Sequence, residues 1–158
     1  ETNNYRYIMT QGIHTDSRSK SDVDALINSR SDALSRYANL ASHRPYRENE
    51  ALAEELKDFC QAMIDYTASV HFQLYKHIDD AQERCQPLMA VASDVYSAIS
   101  KTTDLILTFN DRYGDGADIA AYIDHIEHDL SSLGEALADR ISHEDMIIDA
   151  MLCERRSV

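Results

Sequence analysis

Between Ala51 and Asp80 the chain reads ALAEELKDFCQAMIDYTASVHFQLYKHIDD, with no Gly or Pro to interrupt it. Leu52, Leu56, Phe59, Met63, Tyr66, Val70 and Leu74 follow one another at intervals of three or four, which places them along one side of a helix. A second stripe on the same helix, Asp58, Gln61, Asp65, Ser69 and Phe72, has similar spacing and is flanked by Tyr66, His71 and Tyr75. A core helix needs only the first stripe. The second is therefore the feature to explain.

Outward from this stretch, three further helical patterns emerge. Ser21 is a candidate N-cap, with Asp24 three residues on, and Val23, Leu26, Ile27, Arg30, Leu34, Tyr37 and Leu40 mark a helix ending near Ser42. Pro45 disfavours a helical residue before it, so His43 to Arg47 reads as a connector. After a polar run, Pro87 suits the first turn of a third helix carried by Leu88, Val91, Val95, Ile99, Ile106 and Phe109. Asn110 to Asp118, NDRYGDGAD, is the strongest loop signal. From Tyr122 through Ile126, Leu130, Leu133, Leu137, Ile141, Ile148 and Met151 a fourth pattern runs to about Glu154.

These patterns predict an all-α protein, an antiparallel four-helix bundle with long helices. Residues 1–20, rich in Asn, Ser and Thr, are expected as a loosely ordered arm, and residues 21–158 as a single domain. With 158 residues the chain can bury enough apolar surface to fold without a staple, and four Gly and two Pro give few tight turns. Gly134 interrupts the last helical pattern at a cost of about 1 kcal/mol relative to Ala, which suggests a close approach to the backbone there.

Charge and motif content narrow the function. A net charge of −13 opposes docking on nucleic acid or anionic lipid and favours a basic partner. The three cysteines, Cys60, Cys85 and Cys153, have no metal-ligand spacing and fit a reducing cytoplasm. No apolar run is long enough to span a membrane.

A carboxylate-bridged metal pair in a bundle needs Glu-x-x-His on two helices, and the chain contains none. Asp124, His125, Glu127 and His128 cluster in sequence, but acidic residues with His are common on solvated faces. His71 lacks the Lys-Gly pair that follows a phosphotransfer histidine. Cys60 and His71 stand eleven residues apart, about 16 Å along a helix, too far for a nucleophile and its base. No enzyme, cofactor or metal centre is expected.

A binding surface remains. Asp65, Tyr66, His71 and Tyr75 can form a buried hydrogen-bond network, or part of that network can open to a groove in which rings supply area and Asp65 meets a cation. The two are compatible.

The wording of the second helix adds to its spacing. DFCQAMIDYTASVHFQLY, from Asp58 to Tyr75, resembles the signature of the Rsd/AlgQ family of bacterial regulators of the principal sigma factor. Val23, Asp24, Ile27 and Arg30 look like that family's opening helix, and LSSLGEALADRISHED, from Leu130 to Asp145, like its last. The likeness covers about Asp22 to Leu152 and departs from the family at Leu26, Val70 and Lys76.

The resemblance implies an anti-sigma protein without catalysis. It would bind the C-terminal helix-turn-helix domain of the principal sigma factor and keep it from core polymerase and promoter DNA. Partner contacts would fall to Asp65, with Phe59, Gln61, Tyr66, His71, Phe72 and Tyr75 framing the groove. Arg30, Glu135 and Arg140 would belong to a structural network, Arg140 pairing with a buried carboxylate. A phosphocarrier of the sugar transport system is a further partner in the family. The other expectation is an acidic helical adaptor that keeps the fold and binds a different protein.

Overall fold

The computed structural model describes the backbone of residues 3–81 and 86–154 and the side chains of residues 21–74, 76, 90 and 92–149. These residues form four α-helices, α1 (Asn3–Ala41), α2 (Glu50–Ala81), α3 (Gln86–Tyr113) and α4 (Ile126–Glu154). Two short 3-10 turns, Ile119–Ala121 and Ile123–His125, lead into α4. There is no strand among the described residues, and none of their helices is long and apolar enough to cross a membrane.

Two boundaries differ from the sequence reading. The first helix does not begin at Ser21; its backbone is helical from Asn3. Residues 1–20 contain no Pro, and their one Gly, Gly12, costs a helix interior only about 1 kcal/mol. The last helix begins at Ile126 rather than Tyr122, because residues 119–125 wind as tighter 3-10 turns.

The start of α2 has a cap that periodicity does not reveal. Asn49 Oδ1 accepts the Leu52 backbone N–H at 2.8 Å, which satisfies one of the orphan donors of the first turn. At the far end of α3, the Gly114 N–H donates to Asn110 O at 2.8 Å, and Gly116 adopts a positive φ of 76° as the chain turns away.

One core gathers side chains from all four helices. α2 contributes Leu56, Phe59, Met63, Val70 and Leu74; these meet Leu26 and Leu40 of α1, Ile99, Ile106 and Phe109 of α3, and Leu130, Leu133 and Leu137 of α4. α1 lies mainly on α2, α2 on α3 and α3 on α4, while α1 touches α4 more sparsely. Phe59 is the hinge of the aromatic packing, with ring centroids 5.8 Å from Phe109 and 6.1 Å from Tyr37.

A close approach between α1 and α4 at one point explains Gly134. Tyr37 reaches from α1 and donates its hydroxyl to Leu130 O of α4 at 2.7 Å. A Cβ on Gly134 would overlap that hydroxyl and lie 2.9 Å from Tyr37 Cζ. The Gly therefore leaves room for the hydroxyl of a neighbouring helix.

Gly134→Ala is expected to lower the unfolding free energy by about 1 kcal/mol in urea titrations. Crowding of about 1–3 kcal/mol outweighs the gain in helix propensity. In a Tyr37→Leu background the same substitution should be neutral or stabilising.

Candidate functional site

Adjacent residues of α2 face two different places. Phe59 and Tyr66, seven residues apart, point inward, whereas Asp65 and Phe72, also seven apart, lie on the exposed side. A helix turns about 100° per residue, so neighbours such as Asp65 and Tyr66 diverge sharply. The residues expected to share one groove are thus divided between an interior network and an outer face.

Inside, Tyr66 is 1% exposed and donates its hydroxyl to Glu144 Oε1 of α4. Glu144 is wholly buried, and Arg140 donates from Nε to its Oε2 at 2.8 Å. Nη1 of Arg140 lies 2.7 Å from Thr103 Oγ1, 3.0 Å from Thr102 Oγ1 and 3.2 Å from Ile99 O, all on α3. Its guanidinium also sits 5.5 Å from the centre of the Tyr66 ring.

From α1, Arg30 Nη1 donates to Asp145 Oδ1 at 2.9 Å and stands 3.6 Å from Glu144 Oε1. One cluster of charge and hydrogen bonds thus ties all four helices together. Burial pushes the Glu144 carboxyl above the usual carboxylate range, while Arg140, the Tyr66 hydroxyl and Arg30 pull it down.

Outside, Asp65 is exposed, and Gln61 Nε2 donates to its Oδ1 at 2.9 Å across one helical turn. Glu54 and Asp58 are exposed on earlier turns of the same helix. Phe72, two turns beyond Asp65 and about 10.5 Å along the axis, is 71% exposed, more than the other large apolar side chains among the described residues. Its ring stands nearly perpendicular to that of the exposed His71, with centroids 5.8 Å apart. α2 therefore carries an acidic, aromatic-tipped strip into solvent.

Several expected positions move. Phe59 is not a groove residue; it is 0% exposed and packs among Phe109 and Tyr37. Tyr66 likewise faces the interior charge cluster. Both follow from the core stripe, whose spacing they share. The Tyr75 side chain lies outside the described residues.

Of the residues expected in a structural network, Arg30 and Arg140 stand in the cluster, while Glu135 is exposed and outside it. Five residues of helix separate Glu135 from Arg140, about 140° of rotation, which turns it away. Sequence reasoning did not single out Glu144, Asp145, Thr102 or Thr103. The i, i+4 spacing of Arg140 and Glu144 is the one local signal for them. The threonines join only because α3 crosses α4 at that level.

A further cluster fixes the loop end. Tyr113, fully buried, donates to Asp129 Oδ2 at 2.7 Å, and Arg112 Nη1 donates to the same oxygen at 3.0 Å. Among the described residues no group of His, Cys, Asp and Glu is placed to hold a metal ion.

The fold and site define an all-helical protein clasped by a central charge cluster and presenting an acidic helix face. The chain belongs to the Rsd/AlgQ family: the family model described as regulator of RNA polymerase sigma(70) subunit, Rsd/AlgQ, matches residues 11–152. Relatives named Regulator of sigma D include one from Pectobacterium atrosepticum, 33% identical over 134 residues, with 80% of this chain and 84% of the relative covered. Another, from Pectobacterium carotovorum, is 32% identical over the same coverage, and one from Yersinia enterocolitica is 30% identical over 129 residues, covering 80% and 77%. No solved structure matches the chain significantly.

Of the positions expected to depart from the family's wording, Leu26 and Val70 are buried in the core, while Lys76 is exposed on α2.

Arg140→Met is expected to cost about 3–5 kcal/mol of stability in urea titrations, because Glu144 would remain buried without its principal partner. Arg140→Met combined with Glu144→Leu should recover much of that loss. Alkali gives a second check. Burial pushes the Cys60 thiol from 9.0 up to about 12 and the Tyr66 hydroxyl above its ordinary 10.0. The folded chain then keeps protons that the unfolded chain releases, so this contribution is full below pH 9 and is lost as pH rises above it. Urea midpoints measured from pH 8 to 11 should fall, and fall less steeply in Tyr66→Phe.

Proposed function

We propose that this chain acts without catalysis as an antiparallel four-helix bundle that sequesters the principal sigma factor in the bacterial cytoplasm. It holds the C-terminal helix-turn-helix domain of sigma away from core polymerase and promoter DNA. Support for the helix directions comes from the pairings. Arg30 meets Glu144 and Asp145 while Tyr37, later in α1, meets Leu130, earlier in α4. Likewise Arg140 meets Ile99 and Thr103, while Asp129 meets Arg112.

The observation that carries the proposal is the exposed pairing of Asp65 with Phe72 on α2 of a strongly acidic member of this family. A domain that reads DNA is basic, and an acidic surface can occupy the place of phosphate. Phe72 adds the apolar anchor that a charged contact alone lacks. Gln61 and His71 flank these two residues on the exposed side, whereas Phe59 and Tyr66 act from within by fixing the rotation of α2.

Calorimetric titration with the isolated C-terminal domain of the principal sigma factor tests this. A complex of micromolar affinity or tighter is expected, weakened at least about tenfold, equal to about 1.4 kcal/mol, by Asp65→Ala or Phe72→Ala with little change in melting temperature. Absence of a complex would leave the acidic adaptor for another protein, such as a phosphocarrier, as the reading to pursue.

A further inference from the structure

The structure assigns Gln61 as the residue that positions Asp65 for its partner; this inference rests on the docking role proposed above for Asp65. Gln61 Nε2 donates to Asp65 Oδ1 at 2.9 Å, and both side chains are exposed on successive turns of α2. Among the described residues Asp65 Oδ2 takes no hydrogen bond. The following turn carries Ala68 and Ser69, whose short side chains leave no long group between Asp65 and Phe72.

The chemistry of the Gln61 contact sets Asp65 apart from the surface carboxylates that are ion-paired within this protein. Asp32 is paired with Arg36, Glu55 with His43, Asp115 with Lys57, Glu127 with Arg44 and Asp129 with Arg112. Each of those carboxylates already faces a basic side chain from within the chain. Asp65 is held instead by a neutral amide, which fixes its orientation and leaves its negative charge uncompensated. A carboxylate so arranged is oriented in advance for an external guanidinium or ammonium group.

The physical gain is one of ordering. A flexible exposed side chain must be immobilised when a partner binds, and the immobilisation opposes association. The Gln61 hydrogen bond restricts Asp65 before the partner arrives. Lys at the same position would restrict Asp65 equally well but would cancel the charge that the partner must find.

The test is a double-substitution cycle, with the isolated C-terminal domain of the principal sigma factor as the probe and calorimetric affinity as the readout. Gln61→Ala is expected to weaken the complex roughly two- to tenfold, to leave the melting temperature unchanged, and to cause no further loss in an Asp65→Ala background. Gln61→Lys should weaken it more than Gln61→Ala. Equal losses in the two backgrounds would mean that Gln61 touches the partner directly and would overturn the positioning role. So would an unchanged affinity in Gln61→Ala, or a drop in melting temperature that matches the loss of binding. Should Asp65→Ala itself bind normally, the docking role fails as well; if only the Gln61 cycle fails, that role stands.

Discussion

The Arg140–Glu144 pair is the constraint on which the rest of the structure depends. Both groups are almost wholly withdrawn from water, and a buried ion costs several kcal/mol unless its neighbours compensate it. Compensation here is shared among the helices. Tyr66 serves Glu144 from α2, Thr102, Thr103 and Ile99 O serve Arg140 from α3, and Arg30 approaches from α1 while held by Asp145. Sliding one helix by a turn along another would leave at least one of these groups unpaired. An apolar interface tolerates such slippage far better, because its contacts are not directional. The polar cluster thus selects one register among those the apolar stripes alone would permit.

That register reaches the surface. Since Tyr66 is fixed from inside by Glu144, and Phe59 by Phe109 and Tyr37, the rotation of α2 about its axis is set at two points seven residues apart. Asp65 and Phe72, one step round the helix from the interior, are then carried outward by a rigid element rather than by a loop. Tyr37 and Gly134 add a second tie between α1 and α4 on the side where these helices touch least. The aromatic side chains of this protein divide their labour accordingly: Phe59, Tyr66 and Tyr113 organise the interior, and Phe72 offers area to solvent.

Charge is distributed with similar economy. Several surface carboxylates are matched by Arg, Lys or His of the same chain, which moderates the repulsion expected at a net charge of −13. The outward face of α2 keeps Glu54, Asp58 and Asp65 exposed beside an amide and an aromatic ring. A family model describing regulators of the sigma(70) subunit matches nearly the whole chain, and on this face acidic side chains share a helix with the most exposed of the large apolar side chains among the described residues.

The sequence by itself determined the helices, because three-to-four spacing of Leu, Ile, Val and Phe has one economical solution and Gly and Pro are too scarce for another. It also drew attention to Asp65 and Arg140, the first from a second stripe on the same helix and both from the resemblance of their surroundings. Periodicity put Tyr66 on the apolar stripe and Asp65 on the second one, but only packing says whether that second stripe is covered. Nor did periodicity supply the partners of Arg140. Glu144 is one turn away and legible, but Thr102, Thr103, Tyr66 and Arg30 lie on other helices, brought there by the fold. Tertiary structure alone decided that Asp65 and Phe72 are left to solvent and that Glu135 stands outside the charge cluster. It also decided that Gly134 is small for the sake of a Tyr hydroxyl, since each outcome depends on a contact between residues far apart in the chain.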